Sequence, residues 1–116
     1  MTYRDFKPAN ILVGMEEDSN CIYLADFGLV TKCMNDSYLL TNYQKVEGKF
    51  IIGTIVYSSL NSQLGSRGAY KLDDIESMMY VLIYLALGDL PWKGKKKTEN
   101  KQYDRILKEK MMIEPR

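Results

Sequence analysis

The sequence predicts an α+β fold, mostly helical with one small β-hairpin, and three stretches carry that prediction. Residues 11–14 (Ile-Leu-Val-Gly) and 21–25 (Cys-Ile-Tyr-Leu-Ala) are short apolar runs separated by six polar-rich residues, Met15 to Asn20, which reads as two strands joined by a turn. Residues 75–87 read as apolar on every side, the pattern of a helix enclosed by other elements rather than packed on one face. Residues 99–111 place Tyr103, Ile106, Leu107 and Met111 on one stripe at helical spacing, an amphipathic helix that cannot cover the first alone.

The chain has 116 residues, with 16 Lys and Arg against 15 Asp and Glu and no His, so one domain at most is expected. That balance points neither to nucleic acid nor to a membrane surface as partner. The longest apolar run, residues 78–87, is about half of what a bilayer span needs. Cys21 and Cys33 have no metal-type spacing and read as free thiols of a reducing compartment. Polar residues directly after Met1 give no secretory signal. An intracellular location, cytoplasmic or nuclear, is the expectation.

Chemistry enters with Tyr3-Arg4-Asp5-Phe6-Lys7-Pro8-Ala9-Asn10, followed by Asp26-Phe27-Gly28. Either tripeptide core, Arg-Asp or Asp-Phe-Gly, can arise in an ordinary turn, where Asp caps a helix and Gly supplies positive φ. Their order and their spacing around a hairpin are far more specific. Together they resemble the catalytic loop and metal-binding loop of protein kinases, with Tyr3 where that signature has His and Phe6 where it has Leu. The resemblance implies a partial C-terminal lobe and a set of roles. Asp5 would orient the incoming hydroxyl and accept its proton, and Lys7 would reach the γ-phosphate of ATP. Asn10 and Asp26 would offer oxygens to Mg²⁺, a hard ion held by few protein ligands plus phosphate.

Further along stand Gly53-Thr54-Ile55-Val56-Tyr57-Ser58-Ser59-Leu60-Asn61, then Leu64-Gly65, Asp73-Asp74-Ile75-Glu76-Ser77, Tyr80-Val81-Leu82 and Gly88-Asp89-Leu90-Pro91-Trp92. No Ala-Pro-Glu closes the segment after Gly28. This arrangement resembles the casein kinase I group, which also includes tau-tubulin and vaccinia-related kinases. It implies ATP-dependent phosphoryl transfer to Ser or Thr of a protein substrate. It also implies that Thr54 hydrogen-bonds Asp5 and Lys7, and that Asp74 accepts backbone donors from the catalytic loop. As a plain reading, Thr54 is a turn residue and Asp74 a helix N-cap.

Two positions depart from the group. Val56 stands where an anion-binding Arg is usual, and Met79 stands where a small Gly is usual in the long helix. Among these 116 residues there is no Gly-x-Gly-x-x-Gly, no Val-Ala-Ile-Lys-like strand and no helix to pair with that lysine. Residues 1–116 are therefore expected to form a partial kinase domain without its small lobe. The rival reading is a non-catalytic kinase-derived binding module, or a truncated relic without activity. Lys93, Lys95, Lys96 and Lys97, continued by Lys101, Arg105, Lys108 and Lys110, read first as a solvated basic face and alternatively as a dock for an anion or an acidic substrate. Tyr38, Thr41 and Tyr43 are polar-segment residues open to phosphorylation.

Overall fold

The computed structural model describes residues 1–33, 53–65, 70–94 and 99–113. The expected hairpin forms from β1 (Ile11–Val13) and β2 (Ile22–Leu24), antiparallel and in the register Ile11 to Leu24, Leu12 to Tyr23 and Val13 to Ile22. The Gly14 amide donates to the Cys21 carbonyl at 2.9 Å and the Cys21 amide to that of Asp18 at 2.8 Å, which closes the turn through a single 3₁₀ turn at Glu16–Asp18. One residue before β1 and one after β2, the Ala25 amide reaches the Asn10 carbonyl at 2.9 Å. The hairpin thus ties residue 10 to residue 25 at its open end.

Three helices follow: α1 (Leu60–Gln63), α2 (Lys71–Leu87) and α3 (Glu99–Ile113). Each start is set by a polar side chain where the sequence supplies one. Ser59 Oγ accepts the Ser62 amide at 3.1 Å and starts α1, while Asp73 reaches back to the Tyr70 amide at 3.3 Å and starts α2. Asp73 is buried and also accepts from Ser59 Oγ at 2.8 Å and Asn61 Nδ2 at 3.2 Å, so one carboxylate joins two helix starts. Burial raises its pKa, and the Ser59 and Asn61 bonds oppose that rise. Helix α2 ends at Gly88, whose φ of 80° is the left-handed conformation that a glycine reaches at least cost.

The core is small and aromatic. Tyr57, Val81, Leu90, Trp92 and Ile106 are buried together, with Phe6, Ile11, Ile55, Val56, Tyr80 and Tyr84 packed against them. Trp92 is 2% exposed, donates its indole N–H to the Val56 carbonyl at 2.8 Å, and meets the Tyr80 ring edge to face at 4.9 Å. The segment before α1, the long helix and α3 are thereby held around one side chain.

Helix α2 begins at Lys71, and only Asp73, Ser77 and Val81 on it are buried. Leu72, Ile75, Met79 and Leu82, spaced by three and four residues, form an exposed apolar stripe, in keeping with a helix that α3 cannot cover alone. The reason is geometric: among the described residues α1, α3 and the 54–58 segment lie on one side of α2, leaving the other without cover. Met79, which stands where a small Gly is usual, faces outward at 48% exposure. On α3, Tyr103 and Ile106 are buried as the stripe implies, but two expectations need correction: Met111 is exposed and Lys110, assigned by charge to a basic surface, is 1% exposed.

Burial lowers the Lys110 pKa to about 7, against an ordinary 10.5, while Glu76 pulls it the other way. Between those two values the unfolded chain holds a proton that the folded chain does not, so folding stability rises with pH across that window. Burial pushes the Tyr57 and Tyr103 hydroxyls up from their ordinary 10.0, and they act only above about pH 10. Denaturant titrations are therefore expected to give a higher midpoint near pH 9 than near pH 6.5, roughly bracketing the Lys110 transition, with the difference lost in Lys110→Met. The exposed α2 stripe is expected to make the purified chain bind an apolar dye and self-associate with concentration. Leu82→Glu should reduce both, and a wild-type monomer with negligible dye binding would contradict the reading.

Candidate active site

The loop from Tyr3 to Asn10 is shaped by a carboxylate far away in sequence. Asp74, on the first turn of α2, accepts the Tyr3 amide at 2.6 Å on one oxygen and the Arg4 amide at 2.8 Å on the other. Two adjacent amides are thus met by the two oxygens of one carboxyl group. Arg4 adopts φ of 68°, a conformation costly for a residue with a Cβ, and its Nε donates to the Leu29 carbonyl at 2.8 Å. The helix-capping role considered for Asp74 falls instead to Asp73.

This turn delivers Asp5 into a buried position, 6% exposed, where three side chains converge on its carboxylate. Thr54 Oγ1 donates to Oδ1 at 3.3 Å, and Lys7 Nζ and Asn10 Nδ2 both reach Oδ2 at 3.0 Å. Asn10 Nδ2 also donates to the Asp5 carbonyl at 3.0 Å. Thr54 therefore bonds Asp5 as expected, but Lys7 goes to the same carboxylate rather than to Thr54. Pro8 starts the 3₁₀ turn Pro8–Asn10, whose Asn10 amide returns to the Lys7 carbonyl at 3.0 Å, and this local turn swings Asn10 back toward Asp5.

Thr54 reaches Asp5 because Gly53 lets the chain pass close. At Gly53, φ is 87°, and a Cβ would lie 2.5 Å from the Arg4 carbonyl oxygen and 3.4 Å from Asp5 Oδ1. Asp26 lies past β2 with φ of 57° and an exposed side chain, its Oδ1 accepting the Gly28 amide at 3.2 Å. Tyr3 joins the two halves. Its hydroxyl donates to the Ala25 carbonyl, one residue before Asp26, and its ring meets Phe6 at 4.9 Å and Phe27 at 5.9 Å, both edge to face. Burial raises the Tyr3 pKa, and Asn10 opposes the rise.

The structure thus brings Asp5, Lys7, Asn10 and Thr54 into one cluster and ties Asp26 to it through the hairpin and Tyr3. The donor set suits a hard cation: Asn10 spends its amide nitrogen on Asp5, which leaves the amide oxygen as a neutral ligand, and Asp26 adds an exposed anionic oxygen. Of the basic residues, Lys93 sits 3.8 Å above the Tyr84 ring. Arg105 donates to the Trp92 and Gly94 carbonyls at 2.7 and 3.0 Å, so it holds a loop rather than a surface. Lys95, Lys96, Lys97, Tyr38, Thr41 and Tyr43 lie outside the described residues.

A protein-family model described as a protein kinase domain matches residues 1–115. The chain belongs to the protein kinase family, whose domains generally use ATP and Mg²⁺ and act on protein substrates.

Sequence reasoning passed over Glu76. Its Oε1 accepts the Leu60 amide at 2.8 Å and the Tyr80 hydroxyl at 2.6 Å, which anchors the start of α1 to α2.

Gly53→Ala is expected to lower unfolding stability by about 1–3 kcal/mol, because the backbone strain and the clash with the Arg4 carbonyl act together. A denaturation midpoint unchanged from wild type would contradict the close approach.

Proposed function

We propose that this chain carries the catalytic centre of a Ser/Thr protein kinase of the casein kinase I group. The observation that carries the reading is the buried Asp5 carboxylate, held by Lys7, Asn10 and Thr54 at one end of a hairpin that ends in Asp26. Asp5 orients the acceptor hydroxyl and takes its proton as the oxygen attacks the γ-phosphorus, and ADP leaves as the P–O bond to the β-phosphate breaks. Three donors occupy the carboxylate, fewer than its roughly four lone-pair sites, so one acceptor site remains for the substrate. Lys7 has ammonium hydrogens beyond the one given to Asp5 and directs them to the γ-phosphate. Asn10 and Asp26 would hold Mg²⁺, which would supply charge neutralisation at the phosphates.

Thr54 is the support that favours Ser or Thr as acceptor, by analogy with the group. Val56 in place of the usual Arg argues against a requirement for a pre-phosphorylated substrate. The exposed Lys93, with Lys95, Lys96 and Lys97 beside it in sequence, is the proposed contact for an acidic substrate. An intracellular setting suits the two free cysteines.

The second reading is a kinase-derived binding module; the 116 residues contain neither the Gly-rich loop nor the lysine by which a kinase small lobe fixes the α and β phosphates, so their activity by themselves does not separate the two readings. The two are separated by supplying that lobe. The chain alone is expected to show no turnover above an Asp5→Asn, Asp26→Asn control, since positioning and charge neutralisation are then lost together. Fused behind the small lobe of a casein kinase I, it is expected to phosphorylate casein on Ser or Thr with Mg-ATP. Asp5→Asn should lower kcat by about 10²–10⁴. A well-folded fusion that transfers no phosphate, or transfers it equally well without Asp5, would leave the binding-module reading in place.

A further inference from the structure

Residues 54–58 are held from both ends of the molecule. Toward the loop, the Thr54 hydroxyl rests on Asp5. Toward the helices, nearly every carbonyl of the segment is claimed by a donor. That of Thr54 takes the Tyr57 and Ser58 amides at 3.0 Å each. That of Ile55 takes Gln63 Nε2 at 2.9 Å and Ser58 Oγ at 3.1 Å, and that of Val56 takes the Trp92 indole. The remaining donor is Lys110, whose Nζ lies 3.1 Å from the Ile55 oxygen and 2.6 Å from the Ser58 oxygen.

A lysine 1% exposed is costly, because its head must leave water and its long side chain must be fixed. Tyr80 and Trp92 offset part of that cost by placing their rings 4.8 and 5.3 Å from Nζ. The charged group that faces it is Glu76 on α2, the same residue that holds the start of α1. The 54–58 segment offers it carbonyls and no charge. A methionine would fill the same space without desolvating a cation, so a buried amine here has its use in what it holds.

We propose that Lys110 is a positioning residue: it clamps the Ile55 and Ser58 carbonyls from α3, fixes the turn of residues 54–58, and so sets Thr54 against the Asp5 carboxylate. The clamp connects α3 to Asp5 through a segment whose ends it does not share in sequence. Its consequence for phosphoryl transfer rests on the kinase reading, while the clamp itself does not.

Amide hydrogen exchange of the full 116-residue chain, wild type against Lys110→Met and Lys110→Arg, tests it without any need for activity. In Lys110→Met the Tyr57 and Ser58 amides are expected to exchange about tenfold faster, the effect of losing a hydrogen bond of ordinary to charge-assisted strength. The Asn10 amide, beside Asp5, should quicken by less, while Val81 and Ile106 stay as in wild type. Lys110→Arg, which still donates to two carbonyls, should keep the wild-type rates. Unchanged exchange at Tyr57 and Ser58, or equal acceleration at every site, would overturn the clamp, and an unmoved Asn10 would show that it does not reach Asp5. If Lys110→Met does not fold, the wild-type rates decide: Tyr57 and Ser58 exchanging as slowly as Val81 support the clamp, and fast exchange there rejects it. Failure of the fusion to transfer phosphate would remove the kinase reading and leave these rates as they are.

Discussion

The bidentate grip of Asp74 on the Tyr3 and Arg4 amides is the contact on which the candidate site depends. Neither partner touches the proposed chemistry. Together with the Arg4 Nε bond to the Leu29 carbonyl, the grip keeps Arg4 at φ of 68°, and that turn delivers Asp5 inward ahead of the Pro8–Asn10 turn. Removing the acceptor would leave two part-buried amides unpaired, at a cost of about 1–3 kcal/mol each, comparable with the strain it restrains. Helix α2 thus works as a rigid rail. At Asp74 it holds the loop, at Asp73 and Glu76 it holds the start of α1, and at Val81 it joins the core around Trp92.

Arranged on that rail, the site is preassembled rather than waiting to be gathered. Asp5 makes its contacts with Lys7, Asn10 and Thr54 inside the protein, and Gly53 permits the approach that a side chain would block. Preorganisation of this sort removes the cost of ordering at the moment of reaction. What the described residues do not supply is a surface for adenine and the first two phosphates. The exposed stripe Leu72, Ile75, Met79 and Leu82 has the same character on the far side of α2: the helix is built for more cover than these residues give it.

Much of this was legible in the sequence because the informative signals are local. Asp5 to Asn10 and Asp26 to Gly28 are short-range patterns, the hairpin between them follows from two apolar runs and a polar turn, and the amphipathic stripe of α3 located Tyr103 and Ile106. Contacts that depend on three-dimensional closure were not legible. Lys110 looked like one of many basic residues, since nothing local tells a solvated lysine from one pointed at two carbonyls, and Glu76 was hidden in a run read for its hydrophobicity. Lys7 was expected to share Thr54 with Asp5, but an ammonium gains more from a carboxylate than from a hydroxyl, and the shorter path won. The reach of Tyr3 to the Ala25 carbonyl needs the hairpin's register, which the sequence does not print.

In the proposed cation site of Asn10 and Asp26, Asp74 acts from a distance, because it holds the turn that leads into Pro8–Asn10. Iron(II) bound in place of magnesium, given ascorbate and peroxide, cuts a backbone beside its ligands, and the cut sites can be read by mass spectrometry. The account predicts cleavage beside both Asn10 and Asp26 in the wild-type chain, its loss in Asp26→Asn, and its loss beside Asn10 in Asp74→Ala although residue 74 is not a ligand. Cleavage confined to the acidic turn Glu16–Asp18, or cleavage beside Asn10 that persists in a folded Asp74→Ala variant, would contradict it.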